Sequence, residues 1–270
     1  FEVCMPRLSR RQFLTQTATA LAAAEAARHI TFPRPAQAAV ESAYPLVSVA
    51  QGSNEDTPEQ ILRTALAGIG GIERFIQTGQ VVAIKPNATW AFRPHTGSAT
   101  DPEVLRAMIK IVKEAGAKRI IVMDHCSIDP GTAEALRLNQ LGKVMDEMGV
   151  EKVVPDRFNA PRSTYAKIDL PDGKAFKNMG VMKAALEVDV RINMGLAKSH
   201  NVTKYSMCLK HMMGFLEVPQ NLHTALEQGI ADINGNSPIK PVLNVLEAIR
   251  VRMPYGDYRA FARVDDNQNR

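Results

Sequence analysis

Short runs of consecutive apolar residues alternate along this chain with longer segments in which apolar residues recur every three or four positions. The short runs predict strands over residues 46–50, 81–84, 119–123, 152–154 and 188–196. The longer segments predict helices from residue 57, over residues 100–116 and 132–148, at 182–187, and over 205–216. Residues 163–170 alternate and precede the turn Pro171-Asp172-Gly173, which predicts a β-hairpin. Residues 242–249 fit either a strand or a helix.

Strands that alternate with helices of this length predict an α/β fold. The expected architecture is a mainly parallel sheet with helices on both faces and a small β-hairpin insertion. Ligands of such sheets bind where the carboxyl ends of the strands and their loops converge. We therefore expect the strands that end at Lys85, Asp124 and Leu196 to be parallel neighbours or near neighbours, with a site at their ends.

Composition and charge narrow the class of protein. The 270 residues are 45% hydrophobic and 23% charged, which is typical of one sizeable α/β domain or two small ones. The net charge is +5, but residues 1–38 hold five arginines against two glutamates, so the remainder carries only +2. That balance, without a basic run interleaved with aromatic residues, argues against a nucleic-acid or membrane-surface partner.

The first 38 residues have the pattern of a twin-arginine export signal. Ser9-Arg10-Arg11-Gln12-Phe13-Leu14 is followed by an Ala-rich stretch and by Ala36-Gln37-Ala38, which has small residues at the two positions that a signal peptidase reads. The apolar stretch is too short to span a bilayer. The alternative is an amphipathic helix of the domain itself. We predict a signal peptide over 1–38, then one α/β domain over 39–270. The translocase would export this domain in soluble form, with no transmembrane span, to the periplasm or beyond.

Cysteine content limits the cofactors. Cys4 lies ahead of the twin-arginine motif, among the residues removed with the signal. Cys126 and Cys208 remain, either to form one disulfide or to serve as two buried small hydrophobic residues. Two cysteines cannot hold a four-cysteine cluster, so no iron–sulfur cluster is expected. The sequence identifies no other cofactor.

Polar residues that can carry chemistry follow three of the predicted strands. We predict His200, Asp124 and Lys85 as catalytic residues, and Asn87, Thr100, Asp101, Lys198 and Lys210 as substrate-binding residues. Thr100 and Asp101 open a helix whose N-terminus favours anions. Each residue has a structural alternative: Asp101 as a helix cap only, Asp124 in an ion pair, the lysines in solvent. His211, inside a Met-rich helix, is expected to be a packed or capping histidine.

No strong catalytic motif accompanies these residues. The chain lacks a Walker phosphate loop, a Gly-x-Gly-x-x-Gly after a strand, Gly-x-Ser-x-Gly and His-Glu-x-x-His. Three hypotheses remain: an enzyme acting on an anionic substrate, a non-catalytic anion-binding or redox-assembly protein, and a zinc or nickel site. The metal site would use His125, Cys126 and His200, with Asp124 as a further ligand. We favour an anion-binding crevice at the carboxyl edge of the sheet.

Several segments together resemble the Domain of Unknown Function 362 family. They lie at residues 82–87, 99–104, 114–118, 189–193, 196–200 and 209–214, and the resemblance extends over about residues 46–250. Members typically have Lys-Asn before the last Gly, where this chain has Lys210-His211. Some members carry ferredoxin-like cysteine clusters, which this chain lacks. Relatives continue beyond the end of this chain, so the resemblance implies a C-terminally truncated domain. It implies the fold and the position of the site, but no activity.

Overall fold

The predicted apolar strands form a mainly parallel sheet in the computed structural model, which describes residues 44–126, 131–156, 160–200, 202–253 and 263–266. The strands are β1 (Val81–Lys85), β2 (Arg119–Met123), β3 (Glu151–Val153), β4 (Tyr165–Asp169), β5 (Asn178–Met182), β6 (Val190–His200), β7 (Lys204–Ser206), β8 (Leu243–Met253) and β9 (Arg263–Asp266). The predicted signal segment and the domain boundary at residue 39 lie outside the described residues.

Seven of the described strands share one sheet in the order β3-β2-β1-β6-β8-β9, with β7 paired to β6 as well. The five strands from β3 to β8 are mutually parallel, whereas β7 and β9 are antiparallel to their partners. Val82 of β1 pairs with Ile120 on one side and with Val190 on the other. The expectation that β1, β2 and β6 are parallel neighbours is therefore confirmed.

Four helices accompany one face of the sheet: α1 (Pro58–Ala67), α2 (Pro102–Glu114), α3 (Thr132–Leu138) and α4 (Leu141–Glu147). Helix α1 begins with a capping box in which Thr57 and Gln60 satisfy each other's backbone N–H groups. Sequence periodicity predicts one helix over residues 132–148, but the structure has two. The reason is local: Gln140 adopts a left-handed conformation (φ 64°), and the Asn139 side chain accepts the N–H of Leu141.

Alternating residues of the central strands enter two different cores, because successive strand side chains point to opposite faces. Val82 and Ile84 pack with α1 to α4, whereas Ala83 packs on the opposite side. That second core is closed by the predicted hairpin, β4–β5, by the 3₁₀ turn Met212–Phe215 directly after α5 (Cys208–His211), and by α6 (Leu226–Asn234). The structure confirms an α/β fold with helices on both faces and a hairpin insertion.

Three further element predictions differ from the structure. The helix predicted at 182–187 is a single 3₁₀ turn, Lys183–Ala185. Residues 46–50 form no strand, and Leu46 is 91% exposed, so this apolar run has no sheet partner among the described strands. The helix predicted over 205–216 is instead β7, the single turn α5 and a 3₁₀ turn, Met212–Phe215. Pairing of β7 with the end of β6 takes precedence over the helical apolar spacing. Residues 242–249 lie in strand β8. No helix in the described ranges is long and apolar enough to span a bilayer.

Candidate functional site

A buried ion pair joins the ends of β1 and β2. Lys85 Nζ lies 2.7 Å from Asp124 Oδ1, and the two side chains are 0% and 1% exposed. The second carboxylate oxygen, Asp124 Oδ2, accepts the backbone N–H of Ala88 at 2.7 Å. The Lys85 ammonium also lies over the ring of Phe215, 5.6 Å from its centroid. These contacts compensate in part for the loss of hydration of both charges.

His211 extends this pair across the sheet. Its Nε2 lies 2.8 Å from Lys85 Nζ, and its Nδ1 lies 2.6 Å from Asn193 Oδ1. The amide nitrogen of Asn193 donates to Cys208 O and to Asn244 Oδ1. Asn193 Oδ1 is thus an acceptor, Nδ1 of His211 carries the proton, and Nε2 accepts from Lys85. Burial, reinforced by the Lys85 charge, places the pKa of His211 well below its ordinary value, so the imidazole is neutral.

Two glycines allow this network to assemble. A Cβ on Gly195 of β6 would lie 2.6 Å from Cys208 Sγ, so the first residue of α5 packs directly on the strand. A Cβ on Gly214 would lie 2.5 Å from Lys85 Nζ and closer still to Asp124 Oδ1. The absence of side chains at these positions brings the segment with His211 against the ion pair.

Lys198, near the end of β6, fixes the loop that follows β1. Its Nζ donates to Ser98 O at 2.8 Å and to Asn87 Oδ1 at 3.3 Å. The backbone N–H of Asn87 donates to Thr100 Oγ1, and the N–H of Thr100 donates to Asn87 O. The structure therefore brings together three of the predicted substrate-binding residues: Asn87, Thr100 and Lys198.

Asp101 caps helix α2 and lies beside a buried acid. Its Oδ1 accepts the N–H of Glu103 at 2.8 Å, and its Oδ2 pairs with the guanidinium of Arg250. The N–H of Asp101 donates to Glu247 Oε2 at 3.0 Å. Burial raises the pKa of Glu247 to about 8, with the nearby Asp101 carboxylate acting in the same direction. Glu247 is thus mostly protonated at neutral pH.

His200 and Lys210 provide polar hydrogens with no acceptor in the described part of the chain. His200 Nδ1 accepts from the backbone N–H groups of Val202 and Thr203, each at 3.2 Å. The proton of the neutral ring is therefore on Nε2. Burial, followed by the charges of Lys210 and Lys198, lowers the pKa of His200 to about 4. Lys210 is half-buried, and burial lowers the pKa of its ammonium as well.

The three predicted metal ligands are engaged elsewhere. Buried His125 lies within hydrogen-bond distance of Leu216 O and Cys126 O, at 3.2 and 3.3 Å. Cys126 Sγ donates to Thr89 O at 2.7 Å. Within the described ranges, no three His, Cys, Asp or Glu side chains are grouped to hold a metal ion, and Cys126 and Cys208 are free thiols.

Several residues of the site were not singled out from the sequence. They are His211, Asn193, Asn244 and Glu247. A signal for two of them is present, since Asn193 and Glu247 are polar residues inside otherwise apolar strand segments. A buried polar side chain requires a hydrogen-bond partner, so such positions indicate a network.

Three known proteins are similar to parts of this chain. A thylakoid-associated protein of Synechocystis sp. is 32% identical over 154 residues, which cover 57% of this chain and 44% of that protein. The crystal structure of a Thermotoga maritima protein aligns with 78% of this chain and 55% of its own, at 16% identity and a TM-score of 0.47. The lactate racemase apoprotein of Thermoanaerobacterium thermosaccharolyticum aligns with 80% of this chain and 52% of its own, at 17% identity and a TM-score of 0.36.

The chain spans about half the length of these matched proteins. A family model described as a domain of unknown function, DUF362, matches residues 82–261, which is more than half of the chain. The matched region contains the ion pair Lys85–Asp124 together with Lys198, Lys210 and His211. The resemblance seen in the sequence is thereby confirmed, and the chain belongs to the DUF362 family.

Proposed function

We propose that this protein binds a small anion, with a carboxylate or phosphate group, in a crevice formed by Lys198, His200 and Lys210. The observation that carries this proposal is the Lys210 ammonium, which is half-buried and has no acceptor among the described residues. A partly desolvated charge without a partner is costly, and a bound anion removes that cost. His200 Nε2–H supplies a neutral donor beside it.

The surrounding charges support an anion over a cation. Asp124 is paired with Lys85, and Asp101 with Arg250, so these carboxylates are already neutralised. Glu247, whose pKa burial raises to about 8, contributes little negative charge at neutral pH. The positive charge of Lys210 therefore remains available, and the low dielectric of a crevice strengthens its attraction for an anion.

Roles for the remaining predicted residues follow from their contacts. Asn87, Thr100 and Asp101 hold the loop and helix that border the crevice. The Lys85–Asp124 pair and His211 form a charged support next to it, because the Lys85 charge acts on both Lys210 and His211. His200, whose neutral ring carries its proton on Nε2, would donate a hydrogen bond to the bound anion rather than act as its acid or base. No observation favours the metal alternative.

The test is titration of the protein with inorganic phosphate and with acetate, followed by calorimetry and by thermal shift. Lys210→Met keeps the length of the side chain and removes its charge. A hydrogen bond to a charged group contributes about 1–3 kcal/mol. Its loss is therefore expected to lower the affinity for the anion roughly tenfold or more. Lys167→Met, at an exposed position of the hairpin, is the matched control and leaves affinity unchanged. Equal affinities of Lys210→Met and Lys167→Met for phosphate and acetate would contradict the proposal. So would the absence of binding to the unsubstituted protein.

We also propose that residues 1–38 direct export through the twin-arginine translocase to the periplasm or beyond. The support is the Arg10-Arg11 pair, the Ala-rich stretch and the Ala36-Gln37-Ala38 site. Replacing Arg10 and Arg11 by lysine is expected to retain the precursor in the cytoplasm in a fractionation assay. Replacing Arg28 and Arg34 by lysine conserves the same charges and serves as the control. Normal export of the first variant would exclude this signal.

A further inference from the structure

A pair of stacked aromatic rings lies beside Lys198, one of the residues of the proposed anion crevice. Trp90 and Phe92 lie in the loop between β1 and α2, with ring centroids 6.1 Å apart and planes inclined by only 18°. Near-parallel rings at this separation are stacked with an offset, so each ring leaves part of its face uncovered by the other. Both side chains are half-buried, which leaves part of this surface accessible. We call the Trp90–Phe92 pair the aromatic shelf.

The shelf is fixed beside a cation of the crevice. Lys198 Nζ lies 5.9 Å from the centroid of the Trp90 ring, within the range of a cation–π interaction. The same ammonium binds Ser98 O at the far end of the loop. Asn139 donates to Trp90 O at 3.4 Å, and Cys126 donates to Thr89 O at 2.7 Å, so the backbone on the near side of the shelf is also held.

We propose that the bound anion carries a planar aromatic group that stacks on the shelf, so that the ligand is an aromatic carboxylate or an aromatic phosphate ester. This inference rests on the proposed anion site and adds the class of its ligand. The aromatic shelf lies next to a cation. A ligand with a planar ring and an anionic group fits both features, because the ring can stack on the shelf while the anionic group pairs with the ammonium. Stacking on an aromatic ring adds roughly threefold to tenfold in affinity over an aliphatic group of similar size.

Benzoate and cyclohexanecarboxylate test this with one variable, because they share charge and approximate size but only benzoate is planar. Calorimetry on the full chain is expected to give roughly threefold to tenfold tighter binding of benzoate. Phenyl phosphate compared with inorganic phosphate repeats the test with the other charged group. Trp90 is the only tryptophan of the chain, so its fluorescence reports benzoate binding directly.

Variants separate stacking from a purely structural role of the rings. In Trp90→Leu, benzoate and cyclohexanecarboxylate are expected to bind equally, whereas Trp90→Phe retains a preference for benzoate. A merely structural Trp90 would leave the benzoate preference of the variants unchanged, and that result overturns the inference. The unsubstituted protein alone is decisive if Trp90→Leu fails to fold.

The two proposals fail in different ways. If both carboxylates bind the unsubstituted protein equally and both lose affinity in Lys210→Met, the anion site stands and the aromatic inference is overturned. If phosphate and all the carboxylates fail to bind, the anion site itself is excluded, and the aromatic inference with it.

Discussion

Lys85 Nζ and Asp124 Oδ1 are 2.7 Å apart in the interior of the protein, at the ends of two neighbouring parallel strands. Burial alone lowers the pKa of Lys85, and the Asp124 carboxylate opposes that effect by favouring the ammonium. Attraction within a buried pair offsets desolvation only when further hydrogen bonds satisfy the remaining atoms. Ala88 N–H and His211 Nε2 supply those bonds here. The pair, the histidine and Asn193 thus form one cooperative unit.

Removing one member of the pair is expected to destabilise the fold strongly. Lys85→Met leaves the Asp124 carboxylate buried without its cation, which typically costs about 3–5 kcal/mol. Urea unfolding measures the change in the free energy of unfolding. The double variant Lys85→Met with Asp124→Leu removes both charges and is expected to lose less than the sum of the single changes.

An exposed ion pair provides the control. Lys152 and Asp146 are also in contact, but their side chains are 36% and 67% exposed. Lys152→Met is expected to change the free energy of unfolding by less than about 1 kcal/mol. Similar changes in the free energy of unfolding for Lys85→Met and Lys152→Met would show that the buried pair stabilises the fold no more than an exposed pair does.

Gly214 is required for space rather than for backbone conformation. In Gly214→Ala the new methyl group would meet both Lys85 Nζ and Asp124 Oδ1, two polar atoms held by other bonds. Such overpacking is expected to cost about 1–3 kcal/mol, seen as a lower midpoint in urea. Gly142→Ala is the control, because Gly142 has helical backbone in α4 and a Cβ there has its nearest neighbour at 3.3 Å. Comparable stability of the two variants would show that the turn relaxes freely.

The proximity of Lys85 and Asp124 could be predicted from the sequence because a parallel sheet gathers the ends of its strands. Lys85 and Asp124 each follow an apolar run, and that pattern sufficed to place them together. The strand that leads to Lys198 was predicted from the same kind of apolar run. These conclusions require only that the strands be parallel and close together in one sheet, which the alternation of strands and helices predicts.

The partners of these residues could not be predicted, since they depend on tertiary packing. His211 lies among methionines, a pattern that favours a packed histidine, yet it contacts Lys85 because Gly195 and Gly214 allow close approach. Glu247 is a polar residue in an apolar segment, but that segment fits a strand or a helix equally well, so its partner could not be predicted. Only the pairing of β8 with β6 places it beside Asp101.

Asp232 is expected to hold the turn of the hairpin. Its carboxylate accepts the backbone N–H groups of Lys174, Ala175 and Phe176, each at 2.9 Å. Burial raises the pKa of Asp232, but these donors outweigh it and the pKa lies below 3.8. Asp232→Ala removes the shared acceptor and is expected to cost about 1–3 kcal/mol.

Limited proteolysis between β4 and β5 measures this effect locally, and Asp232→Ala is expected to be cut faster. Asp172→Ala, an exposed position in the same turn, is the control and keeps the cleavage rate of the unsubstituted protein. Since the folded pKa of Asp232 is depressed, its contribution is complete above about pH 4 and is lost as the pH falls. Equal cleavage rates of Asp232→Ala and Asp172→Ala would mean that contacts other than those of Asp232 hold the turn in place.

Glu247 is expected to make the stability of the protein fall as the pH rises towards 8. Its ordinary pKa is 4.5, and burial raises the folded value to about 8. Between these values the folded state holds the proton and the unfolded state has released it, so the free energy of unfolding decreases with increasing pH. Above about pH 8 both states are ionised, and this dependence ends.

Glu247→Gln keeps an oxygen that can accept the N–H of Asp101 but cannot titrate. Its free energy of unfolding, relative to that of the unsubstituted protein, is therefore expected to increase steadily from about pH 5 to about pH 8. Urea unfolding at several pH values in this window gives the difference directly. Glu227→Gln, at an exposed position of α6, is the matched control and leaves the pH dependence as it was. Parallel curves for Glu247→Gln and the unsubstituted protein would mean that Glu247 is ionised in the folded state throughout this window, and the positive charge of the crevice would then be partly cancelled at neutral pH.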